Sequence, residues 1–385
     1  MDNSGGNDRA YWLAWSEISG VGPILRKRIH QTFGSLATAW QAPITALQQI
    51  DGIGPKLSQA IATQRTQLNP AEHLAAYERQ NPYFLTPADA AYPRQLWEIP
   101  DPPAVLHYQG NLQLLQRCDA GAAVAIVGTR QLTAYGERWT ACFSSGLSRQ
   151  GWTIVSGLAA GIDTVAHTCC LATPGWTIAV LGTGLDIIYP AANAGLHYQI
   201  AQEGLLLSEY PAGTPGDRAH FPARNRIVAA LSTATIVTEA GRQSGALITA
   251  HCAQQYGRTV HVLAGSLDNP AAAGCLDLIQ QGMAIITSET DLYQALGPLP
   301  DAAHRRTQTP ATPSALPEFP PDLRPELQHL WQILKQCSGP IGFDDLVEQS
   351  GQATGDLLAA LLELELHGLI EAQADLYYQA IRPQG

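Results

Sequence analysis

Lysine is nearly missing from this 385-residue chain. It occurs only at positions 27, 56 and 335, and the other 19 of the 22 basic residues are arginine. Against 33 acidic residues this leaves a net charge of −11. A broad cationic field is thereby excluded, and any nucleic-acid contact must be a focused patch. The charge is also uneven: residues 1–90 are neutral, 91–297 carry −4 and 298–385 carry −7. No apolar run reaches the roughly 18–20 residues of a membrane span. The first ten residues are polar and lack the apolar stretch of a secretory signal, so a cytoplasmic protein is expected. Seven cysteines are scattered along the chain with no C-x-x-C pair. Odd, unpaired thiols without metal-ligand spacing fit a reducing compartment, and Cys169–Cys170 fits helix packing better than a redox pair. The chain also lacks G-x-G-x-x-G and G-x-x-x-x-G-K-[ST], so neither a dinucleotide nor a triphosphate cofactor is expected.

What is present falls into four segments. Residues 1–85 read as short helices around two similar turns, Ile18-Ser19-Gly20-Val21-Gly22-Pro23 and Ile50-Asp51-Gly52-Ile53-Gly54-Pro55. Such turns suit a helix-hairpin-helix, or SAM-like, domain, whose helix N-termini can hold a phosphate with Arg26, Lys27 and Lys56 nearby. A plain helical bundle is the competing reading. Residues 86–297 alternate apolar strands (123–128, 153–156, 177–181, 205–208, 235–238, 259–263) with helices (134–149, 163–172, 225–231, 246–256). That alternation predicts an α/β fold, an extended Rossmann-like parallel sheet covered on both faces. Residues 298–321, with seven prolines, read as a linker. Residues 322–385 give three helical stretches (325–336, 343–350, 354–366) and a hairpin (368–370 with 376–379), the pattern of a winged helix. The helix expected to enter a groove carries Asp356, Glu363 and Glu365 and no basic residue. Like charge opposes a phosphate backbone, so this domain is expected to contact protein.

Chemistry concentrates at the strand ends. Phe221-Pro222-Ala223-Arg224-Asn225-Arg226 packs two arginine forks, an amide and an aromatic ring into six residues. Guanidinium groups match phosphate oxygens and an aromatic face accepts a base. Glycine-rich loops accompany it: Gly128-Thr129-Arg130, the Gly157–Gly161 loop, Gly182-Thr183-Gly184, and Gly241-Arg242-Gln243-Ser244-Gly245. Small residues there admit a ligand to the backbone. Competing roles are an ion pair of Arg130 with Glu137 or Asp163, and a core position for Phe221. Arg224 and Arg226 cannot share a helix face. One is expected to meet phosphate, the other a carboxylate such as Glu239. His167 is expected to pair with Asp163 four residues earlier. Asp163, Asp186 and Glu239 resemble an acid/base set, but no nucleophile motif accompanies them.

The ordered motifs GTR, SGLAAGIDTVAH, LGTGLDIIYP, SEYPAG, FPARNR and SGALITA closely resemble the DNA processing protein A family (DprA, also called Smf) over roughly residues 90–297. The resemblance implies a homodimeric, non-enzymatic protein that binds single-stranded DNA, protects it during natural transformation and loads the recombinase RecA. It implies DNA-binding roles for Gly128, Arg130, Gly157, Gly161, Arg218, Phe221, Arg224, Asn225, Arg226, Ser244 and Gly245. The sequence departs from the family at Ala264-Gly265 and Gly274-Cys275-Leu276, and Arg218 and His220 occupy the stretch where a lysine is usual. An alternative is a nucleotide-binding or nucleotide-cleaving enzyme resembling the LOG proteins, although their P-G-G-x-G-T-x-x-E run is absent.

Overall fold

The computed structural model describes residues 4–300, 341–350, 370–373, 377–380 and isolated positions between 327 and 364. The chain separates into two compact units, Met1–His304 and Arg305–Gly385.

The first unit is built on a nine-stranded sheet. Its strands are β1 (Phe84–Leu85), β2 (Leu106–Gly110), β3 (Ala123–Gly128), β4 (Thr153–Ser156), β5 (Trp176–Leu181), β6 (Leu205–Ser208), β7 (Ala234–Glu239), β8 (Thr259–Leu263) and β9 (Ala284–Ile286). Their spatial order is β1-β2-β6-β5-β4-β3-β7-β8-β9. β3, β4, β6 and β7 are apolar-rich and buried along almost their whole length, as strands covered by helices on both faces must be. From β3 the chain winds outward through β4, β5 and β6. It then returns to the other side of β3 and winds away through β7, β8 and β9. The loops after β3 and β7 therefore diverge, and the crevice between them is the topological switch point.

The sheet is parallel from β6 to β9, but β2 pairs antiparallel with β6 and β1 antiparallel with β2. The expected strands lie in the parallel part, and this antiparallel edge adds to it. Its strands lie in a stretch, 84–110, where prolines and short apolar runs hide the alternation. The helices expected at 134–149 and 246–256 are observed as Ala134–Arg149 and Ala246–Gln255. The helix expected to begin at 225 begins at His220 and runs to Ala230. Pro222 sits in its first turn, where the missing N–H has no intrahelical partner to lose.

Residues 4–80 form six short helices around Trp12, Leu13, Trp15, Ile29, Leu36, Leu47 and Ile61. The hairpin glycines Gly20 and Gly52 have φ of +87° and +97°, which only glycine adopts without strain. Gly22 and Gly54 then cap helices that open with Pro23 and Pro55. This core is continuous with the sheet: Phe84, Ala104 and Val105 belong to it, and Trp97 packs against both it and the main sheet core. The hairpin cations are mostly spoken for. Arg26 is buried, donates to Val21 O at 3.0 Å, and has its pKa lowered to about 10 by burial. Lys27 Nζ donates to the carbonyls of Trp97 and Ile99, both at 2.7 Å, closing the helix Arg94–Glu98. Of the three expected phosphate partners only Lys56 stands exposed.

In the second unit the described elements are β10 (Ile341–Gly342), the helix Phe343–Ser350, β11 (Ile370–Gln373) and β12 (Tyr377–Ala380), in the order β10-β12-β11. The helix falls on the expected 343–350, the hairpin is observed at Ile370–Gln373 and Tyr377–Ala380, shifted toward the C-terminus from 368–370 and 376–379, and β10 adds a third strand. Most of 298–321, together with Asp356, Glu363 and Glu365, lies outside the described residues. Helices 325–336 and 354–366 are described at isolated positions only. Leu327, Leu330, Leu346, Leu357, Leu361, Leu364 and Ile370 form this unit's core.

Candidate nucleic-acid interface

A cavity of about 650 Å³ opens at the switch point, with a smaller one of about 180 Å³ beside it. The loop after β3 contributes Gly128, Thr129, Arg130 and Gln131; the loop after β7 contributes Ser244 and Gly245. Gly157 and Ala159 after β4, Tyr189 after β5, and Arg218, Phe221, Arg224 and Asn225 complete the walls.

The glycines are required by close approach. A Cβ at Gly128 would lie 2.5 Å from Ile162 and 2.7 Å from the Glu239 carbonyl. At Gly157 it would strike the Arg224 guanidinium at 2.4 Å. Gly161 does not line the cavity. It has φ +85°, and a Cβ there would meet Thr129 O at 2.4 Å, so it lets the β4 loop press against the β3 loop.

The arginines divide by burial. Arg130 and Arg218 are exposed at the cavity and have no ion pair or hydrogen bond among the described residues. The competing pairing of Arg130 with Glu137 or Asp163 does not form; its guanidinium instead lies 5.5 Å from the Phe221 ring centre. Phe221 is half-buried and packs on Tyr189 with ring centres 5.0 Å apart. It is a wall of the site rather than part of the core.

Arg224 is only 4% exposed. Its guanidinium donates to Gly157 O at 2.6 Å, to Val180 O, and to Asn225 Oδ1 at 3.1 Å. Burial lowers its pKa to about 10, although Asp163 works in the opposite direction. Asp163 lies beneath the same loop and accepts from the N–H groups of Gly157 (3.1 Å) and Ala159 (3.3 Å). Burial raises its pKa, opposed by Arg224 and these hydrogen bonds. Arg224 thus braces the floor of the cavity from below.

Arg226 departs from its expected place at the phosphate. It leaves the helix His220–Ala230 about 200° round from Arg224. There it is buried against Asp101 (3.1 Å) and Glu209 (2.8 Å). Burial opposes its charge, and the two carboxylates more than restore it, so its pKa is raised. One of the two arginines does face carboxylates, whereas Arg224 donates to main-chain carbonyls, and the carboxylates are not Glu239. That buried side chain accepts from Thr133 N (2.8 Å), Thr133 Oγ1 (2.7 Å) and Asn269 Nδ2 (3.1 Å), fixing the start of the helix Ala134–Arg149. Asp186 accepts from Gly213 N at 2.9 Å. All three carboxylates of the suspected acid/base set are therefore engaged with backbone N–H groups. His167 does not pair with Asp163: it is fully buried, bonds Thr177 Oγ1 at 2.7 Å, and has its pKa lowered to about 3 by burial and by Arg224. Asn225 Nδ2 donates to Gly245 O at 3.0 Å, tying the arginine helix to the β7 loop. At the two sites of sequence departure, Ala264 O accepts from Tyr135 Oη at 2.9 Å and Gly274 N donates to Ala240 O at 2.8 Å.

Sequence reasoning missed Tyr189 and Gln131 as lining residues. Tyr189 ends the LGTGLDIIYP loop, and an aromatic residue closing a glycine loop was the available signal.

Fold and site together define a doubly wound α/β protein with an arginine- and aromatic-lined crevice at its sheet's switch point. Residues 83–297 match the family model of DNA recombination-mediator protein A, and residues 309–375 match that of the DprA winged helix domain. The chain is 45% identical over 395 residues to Protein Smf of Synechocystis, covering 97% of this chain and 99% of that one. It is 42% identical over 223 residues to DNA processing protein DprA of Bacillus subtilis, covering 58% and 74%. The solved structure of DprA from Streptococcus pneumoniae superposes with a TM-score of 0.63 at 36% identity, covering 74% of this chain and 96% of that one. A Helicobacter pylori DprA structure, described for its single-stranded DNA binding mode, superposes at 0.50 with 33% identity, covering 55% and 95%. The chain belongs to the DprA/Smf family.

Proposed function

We propose that this protein binds single-stranded DNA in the switch-point crevice, protects it during natural transformation and delivers it to RecA, without catalysing a reaction. One observation carries the reading. In an acidic protein whose other crevice arginine is buried and braced, Arg130 and Arg218 stand exposed and, among the described residues, without ion pair or hydrogen bond, lining the cavity with the Phe221–Tyr189 aromatic pair. Free guanidinium groups neutralise phosphates, and an exposed aromatic face stacks bases with little regard to sequence. Gly128, Gly157, Ser244, Gly245 and Asn225 shape the backbone walls. Gly161, Arg224 and Arg226 hold the loops that carry those walls. Family membership supports DNA as the ligand, as does the single-stranded DNA binding described for the Helicobacter relative. Delivery to RecA, action as a homodimer through the Rossmann-like unit and a cytoplasmic location are parts of the same proposal. Among the described residues no helix is long and apolar enough to cross a membrane.

The reading is tested by fluorescence anisotropy with a poly-dT oligomer and a matched duplex at two salt concentrations. Two neutralised phosphates give a salt slope of about −1.4, or roughly a sevenfold loss for a fourfold rise in salt. Equal affinity for strand and duplex, or binding insensitive to salt, would overturn it. Release of free base from nucleoside monophosphates would favour a nucleotide-cleaving enzyme instead.

A further inference from the structure

The arginines of the sheet region can be sorted by what holds them. Arg94, Arg226, Arg242 and Arg258 face carboxylates. Arg117 donates to Thr153 and lies 3.8 Å from the Trp176 ring centre. Arg224 braces carbonyls, and Arg149, in the last turn of its helix, complements the helix dipole. Arg130 and Arg218 belong to the crevice. Besides Arg149, the cation outside the crevice with no ion pair or hydrogen bond among the described residues is Arg138, which is exposed.

Its surroundings resemble those of the crevice arginines. Arg138 lies between two aromatic rings, 5.9 Å from the centre of Tyr135 and 5.6 Å from that of Trp139. The rings meet edge-on at 6.4 Å. Neither is loose: Tyr135 Oη is anchored on Ala264 O at 2.9 Å, and Trp139 packs on buried Phe143 at 5.4 Å. Tyr135 is 38% exposed. The three side chains occupy the first turns of the helix Ala134–Arg149, which starts directly after the Arg130–Gln131 wall of the crevice. Arg138 lies only about 6 Å along the axis from the helix start. Of the neighbouring carboxylates, Glu239 is buried in the helix cap, and Glu137 leaves the helix about 100° away.

We propose that Tyr135, Arg138 and Trp139 form a second contact for single-stranded nucleic acid, engaging the strand where it leaves the crevice past Gln131. The inference rests on the single-strand reading above. The occupant follows from continuity with the crevice wall and from charge: an uncommitted guanidinium between two anchored aromatic faces offers a phosphate contact and a base platform together.

The experiment compares poly-dT of about 6 and about 16 nucleotides, near the ends of the range for single-strand sites. It measures anisotropy as a function of salt with the full chain and its Arg138→Ala, Arg138→Lys and Tyr135→Ala variants. The expected result for Arg138→Ala is a salt slope shallower by about 0.7 on the longer strand and unchanged on the shorter. Arg138→Lys should keep the slope. Tyr135→Ala should weaken only the longer strand, by about fivefold or more. If Tyr135→Ala fails to fold, the Arg138 slopes decide alone, because that exposed side chain makes no hydrogen bond or ion pair among the described residues. Wild-type-like binding of the longer strand by Arg138→Ala, or equal losses on both strands, would overturn the second contact and leave the crevice reading standing. Failure of the wild type to bind either strand would remove the crevice reading and this inference with it.

Discussion

Replacing Arg224 by methionine separates bracing from phosphate binding. The guanidinium serves two main-chain carbonyls, Gly157 O and Val180 O, and the Asn225 amide oxygen, while lying close enough to Asp163 to influence its protonation. Methionine fills similar space but donates nothing. Hydrogen bonds from a charged donor contribute about 1.5–3 kcal/mol each, and part of that returns because no charge need then be desolvated. Breaking a buried charged contact from one side typically costs about 3–5 kcal/mol, and we expect a loss in that range. Urea unfolding followed by circular dichroism measures it, and anisotropy on the folded protein reports DNA binding. Affinity should fall because the Gly157–Ala160 wall loses its support, yet the salt slope should hold, since no phosphate contact has gone. Arg130→Ala should behave in the opposite way, with stability within about 0.5 kcal/mol of wild type and a slope shallower by about 0.7. An Arg224→Met protein as stable as wild type but with a reduced salt slope would refute the division between the two arginines.

Three further outcomes follow from the same geometry. Gly161→Ala forces φ +85° on an alanine and drives its Cβ to 2.4 Å from Thr129 O, so it should cost about 1–3 kcal/mol and weaken DNA binding together, as urea titration and anisotropy would show. His107 and His167 are buried and neutral, with pKa values lowered to about 4 and about 3, against about 6.5 in the unfolded chain. Their contribution is complete above pH 6.5 and is lost as pH falls, because the unfolded chain takes up the protons first. Each histidine should cost about 1.4 kcal/mol per pH unit below 6.5, down to about pH 4 for His107 and pH 3 for His167. Urea midpoints at pH 7.5 and 5.5 should reveal the loss, to which His30, His197 and His261, whose pKa values burial also lowers, add, and His167→Gln should remove about 1.4 kcal/mol of it. Deleting residues 322–385 should leave single-strand affinity within about tenfold of wild type, or ~1.4 kcal/mol, and a larger loss in a gel shift would mark the acidic unit as a DNA reader.

The central strands were legible because burial on both faces leaves an unmistakable sequence record. β3, β4, β6 and β8 fall on the expected residues, and β5 and β7 extend by one residue at an end or at each end. The antiparallel edge was not legible. β1 has two residues and β2 has five, ending in Gln109 and Gly110, so neither offers a long apolar run. The Pro222 ring concealed a helix start because proline is tolerated in a first turn as well as before one. Site membership was legible at the level of loops: glycine loops and FPARNR converge as their strand-end positions require. The partners of individual arginines were not. Asp101 lies 125 residues from Arg226, and Val180 lies 44 from Arg224. No local pattern specifies which guanidinium the fold will bury.

The scarcity of lysine acquires a physical meaning once those partners are known. A position that must bridge several acceptors at fixed angles favours a planar five-donor fork over a single ammonium. Arg224 joins a loop carbonyl, a strand carbonyl and a side-chain amide, and Arg226 joins Asp101, Glu209 and the carbonyl of Ala223. Arg65 gathers the carbonyls of Ala39, Trp40 and Ala42 at a helix end. Lys27, one of three lysines in the chain, does comparable work by turning its Nζ to the carbonyls of Trp97, Glu98 and Ile99, at the end of a helix where three donors from one point suffice. Much of the arginine is thus consumed by architecture, and arginine content overstates the capacity to bind nucleic acid. The guanidinium groups that remain free at the crevice are few and stand next to aromatic rings. In a chain of charge −11 that arrangement attracts phosphate locally while the rest of the surface repels it. The proposed selectivity for a flexible strand over a duplex has a geometric basis: a single strand can bend its phosphates and bases into a crevice of about 650 Å³, and a rigid duplex cannot.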